Sequence, residues 1–516
     1  MKRWKRFASG AGMLAVLGVI GKVIGMFYRL PLTNILGAEG MGLYQLIFPL
    51  YSLILAVGCG GMPAAISKYI SELTASGDTA LAKRALKITI VGLSVFGVFA
   101  ALALFLLRDG IAALQGNPKT ALSYAAIAPA VFFSGLIACY RGYFQGMHNM
   151  FPSGISQIIE QIVKVALGLI FAALFVGNGV EYGVMGAILG VSLSEAVALM
   201  YLALRFTFVV EKQQEGTLQA EAAADVAVMP KTVRTAQILR SIYTVALPVT
   251  LGSLVLPFSQ VLDSFLVVNL LEARGMAEVN ATALYGVFNG PVGSLLNMPT
   301  VITISLAASL LPRIAACNRN HTCVDGVVDK SVATYLLTII PCTVVFVFAP
   351  KPILSLLYSR GLTDSEIAVA SKILHIEGVN LLFLGGIQLT SAMMQGVGKA
   401  RTPVFNLLIG ASIKVAATAG LIPIMGIYGA AVANVLFYTI TFFLDFVCAT
   451  KLFGKFFYFK KQAKSLFCVF GFAAVFSLYF VLRLYVSDLV ALLTAGVAAA
   501  ATLLILVLKT KCILLN

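Results

Sequence analysis

The chain is laid out as apolar blocks of twenty or more residues, each ended by a short loop that carries lysine or arginine. About 20 apolar residues are what an α-helix needs to cross the ~30 Å hydrocarbon core of a bilayer. Hydropathy places fourteen such segments, with glycine and proline allowed inside them. The first six lie near 10–35, 42–66, 86–107, 120–145, 152–176 and 184–209. After a polar stretch come 237–270, 282–311, 331–357, 368–395, 403–424, 426–450, 463–484 and 487–508. Composition agrees, since 60% of the 516 residues are hydrophobic and only 11% are charged, against about 25% charged in a soluble domain. Spanning strands are excluded, because a barrel strand alternates apolar and polar residues over about ten positions and these runs are longer and continuously apolar. The sequence therefore predicts an all-α polytopic membrane protein with 14 transmembrane helices.

Lysine and arginine test the count, because a missed span would scramble their alternation between successive loops. With the N-terminus inside, 26 of the 37 basic residues fall on the inner side, including Lys2, Arg3, Lys5, Arg6, Lys83, Arg84, Arg141, Lys460 and Lys461. Seven fall outside, namely Arg108, Lys119, Arg274, Lys351, Arg360, Lys372 and Arg483, and four lie within spans. Both termini are expected to be cytoplasmic. The net charge of +16 is spread along span ends and forms no stripe for nucleic acid. The basic start is followed by an apolar run containing Lys22 and Arg29 without a small-residue cleavage site, so the first segment reads as retained. Eight cysteines stand singly, mostly inside apolar segments, and read as small buried hydrophobes rather than a disulfide framework.

Enzyme chemistry finds little to use. Three histidines serve the whole chain, and no nucleophile and base constellation stands out, so no catalytic residue is assigned. Cys317, His321 and Cys323 offer three ligands in a short loop without a fourth, so no metal is expected. Gly396-Val397-Gly398-Lys399 lacks the preceding strand and the following Ser or Thr of a phosphate loop. No cofactor is called for.

The sequence repeats itself. Gln145-Gly146, Pro152 and Lys164 recur as Gln395-Gly396, Pro403 and Lys414; Gly183-Val184-Met185-Gly186-Ala187 recurs as Gly426-Ile427-Tyr428-Gly429-Ala430; Asn34, Leu36, Gly40 and Met41 match Asn269, Leu271, Gly275 and Met276. Six spans per repeat preserve orientation, which predicts parallel halves about an axis normal to the membrane with a central cavity. The expected division is an N-lobe at 1–210 with spans one to six, a cytoplasmic linker at 211–236, a C-lobe at 237–450 with spans seven to twelve, and spans thirteen and fourteen with the C-terminus at 451–516. The linker reads as a solvated connector, with a regulatory arm as the alternative. The last two spans lie outside the duplication and are expected to form a lipid-facing groove.

Six charges lie within the predicted spans: Lys22, Arg29, Glu160, Lys164, Asp263 and Lys414. Each costs roughly 2.5–3.5 kcal/mol at the bilayer centre, so they are expected to face one another or water. Gly18, Lys22, Gly25 and Arg29 keep one helix side; Ser153, Gln157, Glu160, Gln161, Lys164 and Gly168 form a comparable stripe, and so do Asn406, Gly410, Lys414 and Thr418. The cation excess suggests an anionic substrate bound by Lys22, Arg29, Lys164 and Lys414, since lysine and arginine offer several charge-assisted donors to phosphate oxygens. Arg29 and Asp263 are candidate gating partners at matched depth in the two repeats, with pairing inside each lobe as the alternative. Glu160 is expected to pair with Lys164 at i,i+4, with direct substrate contact as the other reading. Proline and glycine at Pro31, Pro49, Gly58, Gly60, Gly61, Pro63, Pro248, Pro257, Pro291 and Pro299 mark spans one, two, seven and eight for helix breaks.

Twelve duplicated spans plus two, together with Arg29-Leu30-Pro31-Leu32-Thr33-Asn34-Ile35-Leu36-Gly37-Ala38-Glu39-Gly40 and Gly61-Met62-Pro63-Ala64-Ala65-Ile66-Ser67-Lys68, resemble a known group. The chain is similar over its whole length to the stage V sporulation protein B branch of the multidrug, oligosaccharidyl-lipid and polysaccharide (MOP) exporter superfamily, related to the MurJ lipid II flippases. The resemblance implies a flippase for an undecaprenyl-diphosphate-linked cell-wall or polysaccharide precursor, such as lipid II, moved from the inner to the outer leaflet of the bacterial cytoplasmic membrane by alternating access. It implies a lipid-linked oligosaccharide diphosphate and the membrane as partners, with cell-wall synthesis enzymes as further ones, no nucleic acid, and a monomer. MurJ-type proteins carry arginine at the position of Lys22 and then an Arg-Asp pair where this chain has Tyr28-Arg29, so the second basic residue is displaced by about 100° round the helix. A cation-coupled drug antiporter of the same superfamily and a nontransporting scaffold of the cell-wall machinery are the other readings. The antiporter needs acidic groups for an organic cation, and the six span charges are mostly basic.

Overall fold

The computed structural model describes residues 2–221, 234–319, 325–454 and 459–510. The long α-helices follow one another as α1 (Lys2–Cys59), α2 (Met62–Ala75), α3 (Thr79–Leu114), α4 (Ala121–Gly146), α5 (Phe151–Phe175), α6 (Val180–Glu221), α7 (Thr235–Ser253) and α8 (Val255–Ala273). They continue as α9 (Glu278–Val287), α10 (Gly293–Arg319), α11 (Asp325–Phe348), α12 (Pro350–Tyr358), α13 (Asp364–Glu377) and α14 (Asn380–Gly396). Last come α15 (Arg401–Met425), α16 (Ile427–Phe453), α17 (Phe459–Phe476), the short α18 (Leu478–Leu482) and α19 (Asp488–Thr510). No strand occurs among the described residues, as the demand that lipid-facing backbone satisfy itself requires.

Twelve helical runs among the described residues are long and apolar enough to cross a membrane, or thirteen when α13 and α14, bent by 45°, count as one crossing. The sequence expects fourteen. The first run, Gly12–Ala75, has 64 residues, about 96 Å of helix and some three hydrocarbon thicknesses. It is the run in which the sequence reading separates spans 10–35 and 42–66. Its helical dihedrals fail at Gly37, with φ 69° and ψ −172°, a conformation that a residue with a Cβ rarely adopts.

By mutual contact the chain forms two units, residues 1–28 with 43–265, and residues 29–42 with 266–516. This grouping follows packing, whereas the division expected from the sequence follows the repeat. In the first unit, α5 packs along α6, and α4 lies against α2, α3 and α6. Its core joins Met62, Ile66, Ile70 and Leu73 of α2 to Leu86, Ile137, Tyr143, Leu202, Ile238 and Ile242. In lipid such packing is driven by close contact rather than by exclusion of water. Gly61 shows how close: its N–H donates to Thr250 Oγ1 at 3.1 Å, and a Cβ there would come within 2.2 Å of the Ala246 carbonyl oxygen. The break between α1 and α2 thus packs on α7, one turn before α7 yields to α8.

In the second unit, residues 29–42 are held by backbone contacts. Asn34 Nδ2 donates to the Leu357 carbonyl at 3.0 Å, and Gly42 and Gly286 lie where a Cβ would meet the Thr282 and Ala38 carbonyls at 2.0 and 2.2 Å. Small residues allow this approach. The helix widens to a π-turn at Phe288–Val292 around Pro291, which absorbs a ring that would clash in a tighter helix. The last two predicted spans, α17 and α19, also belong here. Phe472 stacks on Phe476 at 5.9 Å, and both pack with Ala491, Ala495 and Ala499 of α19. The opposite side of α19 exposes Leu493, Val497, Leu504 and Leu508.

Candidate functional site

In the first unit, α1 runs alongside α5 through its glycines. A Cβ on Gly18 would touch Gln157, one on Gly21 would touch Gln161, and one on Gly25 would lie 2.6 Å from Gln161 Oε1 and 3.6 Å from Lys164 Nζ. One step further, the Tyr28 hydroxyl lies against Gly168. The polar stripe read on span five therefore does line α1, and the contacting positions are 18, 21, 25 and 28. Lys22 sits one position from that line and is exposed, while Lys164 is half-buried. Tyr28 takes the α5-facing position, which leaves Arg29 to turn away and join the second unit.

Glu160 has a partner from another helix. Its Oε2 accepts from Arg141 Nη2 at 2.8 Å, with both side chains about four-fifths buried. Arg141 Nε donates to Ser156 Oγ at 2.9 Å, and Ser153 Oγ donates to the Arg141 carbonyl at 3.3 Å. The sequence reading placed Arg141 among the loop residues that set topology and looked to Lys164 for Glu160's partner. The structure gives Arg141 to Glu160, so the guanidinium of α4 enters the polar stripe of α5.

Three buried acids of the spanning helices escaped the sequence reading. Glu195 of α6 is 6% exposed, Glu377 of α13 is 3% and Asp445 of α16 is 0%. Glu195 accepts from Tyr51 at Oε1 and from Ser134 at Oε2, 2.5 Å away. Asp445 accepts from Asn406 Nδ2 at 2.8 Å and from Ser391 Oγ at 3.1 Å. Glu377 accepts from Asn434 Nδ2 at 2.7 Å. Each is met by neutral donors from neighbouring helices. Their signal was present: an acid inside an apolar run, as in Ser192-Leu193-Ser194-Glu195-Ala196 or Phe443-Leu444-Asp445-Phe446, is a functional candidate by default. With these acids and Arg141 included, basic residues no longer outnumber acidic ones in the spans.

The second unit carries the other candidates. Arg29 is half-buried near the hydroxyl end of Tyr358, whose phenol burial pushes up to about 12 while the guanidinium pulls it down. Lys414 of α15 is half-buried with Nζ 5.7 Å from the centre of the Phe437 ring, a cation–π distance. Asp263 of α8 is half-buried and belongs to the first unit. Among the described residues no group of three or more His, Cys, Asp and Glu could hold a metal ion, and His321 and Cys323 lie outside them.

Comparison with known proteins places the fold and the family. Stage V sporulation protein B of Bacillus subtilis (strain 168) is 29% identical over 443 residues, covering 83% of this chain and 80% of that protein. The inward closed structure of the lipid II flippase MurJ superposes with a TM-score of 0.72 at 15% identity, covering 96% and 97% of the two chains. An inward-facing multidrug resistance transporter of the MATE family, in the MOP superfamily, superposes with a TM-score of 0.68 at 15% identity over 84% and 94%. Both structures share the fold. The family model described as "Polysaccharide biosynthesis protein" matches residues 7–317, more than half of the sequence. This chain belongs to that polysaccharide biosynthesis protein family, with the fold of the MOP-superfamily transporters.

Proposed function

We propose that this protein moves an undecaprenyl-diphosphate-linked cell-wall or polysaccharide precursor, lipid II foremost, from the inner to the outer leaflet by alternating access. The reading places it in the bacterial cytoplasmic membrane as a monomer with both termini cytoplasmic, supplying cell-wall synthesis enzymes. One observation carries it: the ionisable groups differ in access rather than in number. Glu195, Glu377 and Asp445 are buried and Glu160 is held by Arg141, whereas Lys22 is exposed and Arg29, Lys164 and Lys414 are partly so. The charges a ligand can reach are mostly cationic, which suits a diphosphate and repels an organic cation. Lys22 and Lys164, with the amides of Gln157 and Gln161, supply donors for the headgroup in the first unit; Arg29 and Lys414 supply them in the second. Sequence similarity to the lipid II flippase MurJ of Bacillus subtilis (strain 168), 25% identical over 458 residues, supports the same substrate class.

The test is leaflet-resolved accessibility of lipid II in cells depleted of this protein and then complemented. Wild type restores outer-leaflet lipid II, and the Lys22→Gln, Lys164→Gln double variant, checked for membrane insertion, falls at least tenfold short. Full function in cells carrying that variant would point to a scaffold instead.

A further inference from the structure

Tyr51 of α1, Ser134 of α4 and Glu195 of α6 form a closed triangle of oxygens. Tyr51 Oη touches Glu195 Oε1, Ser134 Oγ lies 2.5 Å from Glu195 Oε2, and the two hydroxyls lie 3.1 Å from each other. Three contacts need three hydrogens, and the hydroxyls bring two. With Glu195 ionised, both hydroxyls donate to it and the Tyr51–Ser134 contact is left with lone pairs facing lone pairs. A third hydrogen closes the ring: the carboxyl O–H donates to Ser134, Ser134 to Tyr51, and Tyr51 to the other carboxyl oxygen. Each donor and each acceptor is then used once.

The surrounding charges ask for the same hydrogen. The groups within electrostatic reach of Glu195 are Tyr51 and Cys59 on α1, Arg141 on α4 and Glu160 on α5. Arg141 is the single base among them and is bound to Glu160, so within this group of charges the ionised Glu195 has no base of its own. A metal cation seated among three oxygens would hold them apart; contacts at hydrogen-bond distance leave no seat between them. We infer that Glu195 is a proton-binding site, occupied in this conformation, whose ligand is H⁺ and not Na⁺. Because its ring joins three helices, releasing the proton to water frees Ser134 from Tyr51 and turns the Ser134 hydroxyl to the carboxylate, to which Tyr51 already donates, so protonation is linked to how α1, α4 and α6 pack.

The inference goes beyond the proposed substrate and is tested without it. Purified full-length protein in lipid nanodiscs is taken from neutral to alkaline pH and followed by infrared difference spectroscopy of the protonated carboxyl C=O stretch. Wild type loses a band as the pH rises. Glu195→Gln, whose amide still donates to Ser134 and accepts from Tyr51, lacks that band, while Asp445→Asn and Glu377→Gln keep it. Tyr51→Phe removes a donor that favours the anion more than the acid and moves the titration to higher pH. No carboxyl band in the wild type, a full band in a monodisperse Glu195→Gln protein, or loss of the band when NaCl is added at fixed pH would each overturn the assignment.

Discussion

Removing Glu160 would leave the Arg141 guanidinium in a polar pocket four-fifths closed to solvent, held by Ser156 alone. A buried charge that loses its counterion costs more than the pair contributes. Glu160→Gln is therefore expected to lower stability by roughly 2–3 kcal/mol. Arg141→Gln with Glu160→Gln should cost less than the sum of the singles, a coupling that thermal unfolding in a double-mutant cycle reads directly. Arg29 and Asp263 call for the transport counterpart of that cycle: Arg29→Asp and Asp263→Arg each abolish outer-leaflet delivery of substrate, and the double reversal restores it if they gate. Which residues were legible in the sequence follows from how far their partners lie. Lys22, Lys164 and Lys414 announced themselves as charges in apolar runs with polar neighbours at helical spacing. The Arg141–Glu160 pair was hidden because Arg141 stands near a span end, where a basic residue already has an explanation. Tyr51 and Ser134 were hidden because their common partner is 144 and 61 residues away in sequence.

Helix breaks show the same division between local and nonlocal causes. Proline and glycine marked spans one, two, seven and eight, and breaks occur at Gly37, between Cys59 and Met62, between Ser253 and Val255, and as the π-turn around Pro291. Yet Pro31 and Pro49 pass through α1, whose dihedrals fail only at Gly37, and the 45° bend between α13 and α14 was not foreseen. Proline in a helix interior deletes one hydrogen bond, but whether the helix yields depends on what packs there. At Gly61 the answer is the α7 backbone. A Cβ within 2.2 Å of the Ala246 carbonyl forces α2 from α7, so Gly61→Ala is expected to destabilise by about 2 kcal/mol. Gly92 in α3 meets nothing within 4 Å, and Gly92→Ala should gain about 0.5–1 kcal/mol from helix entropy alone. Unfolding temperatures of the two variants, moving in opposite directions, check that the close approach and not the glycine itself sets the cost.

For the whole molecule, the proposed function raises the question of what drives a diphosphate outward. Two uncompensated negative charges leaving an interior at −100 mV gain about 4.6 kcal/mol, at roughly 2.3 per charge, or about three decades in leaflet distribution. That suffices for directional transport without any other coupling. A proton carried inward on Glu195 in each cycle would add a third charge, bring the gain to about 7 kcal/mol or five decades, and make the flux sensitive to the pH gradient as well as to the potential. The two contributions separate in vesicles where potential and pH gradient are set independently and outer-leaflet lipid-linked diphosphate is measured. Wild type should slow when either is collapsed. Glu195→Gln keeps the neutral ring geometry and the basic side chains proposed to meet the substrate, so it should still respond to potential and lose its response to pH. Equal dependence on the gradient in both proteins would take Glu195 out of the coupling and leave the potential as the driving force.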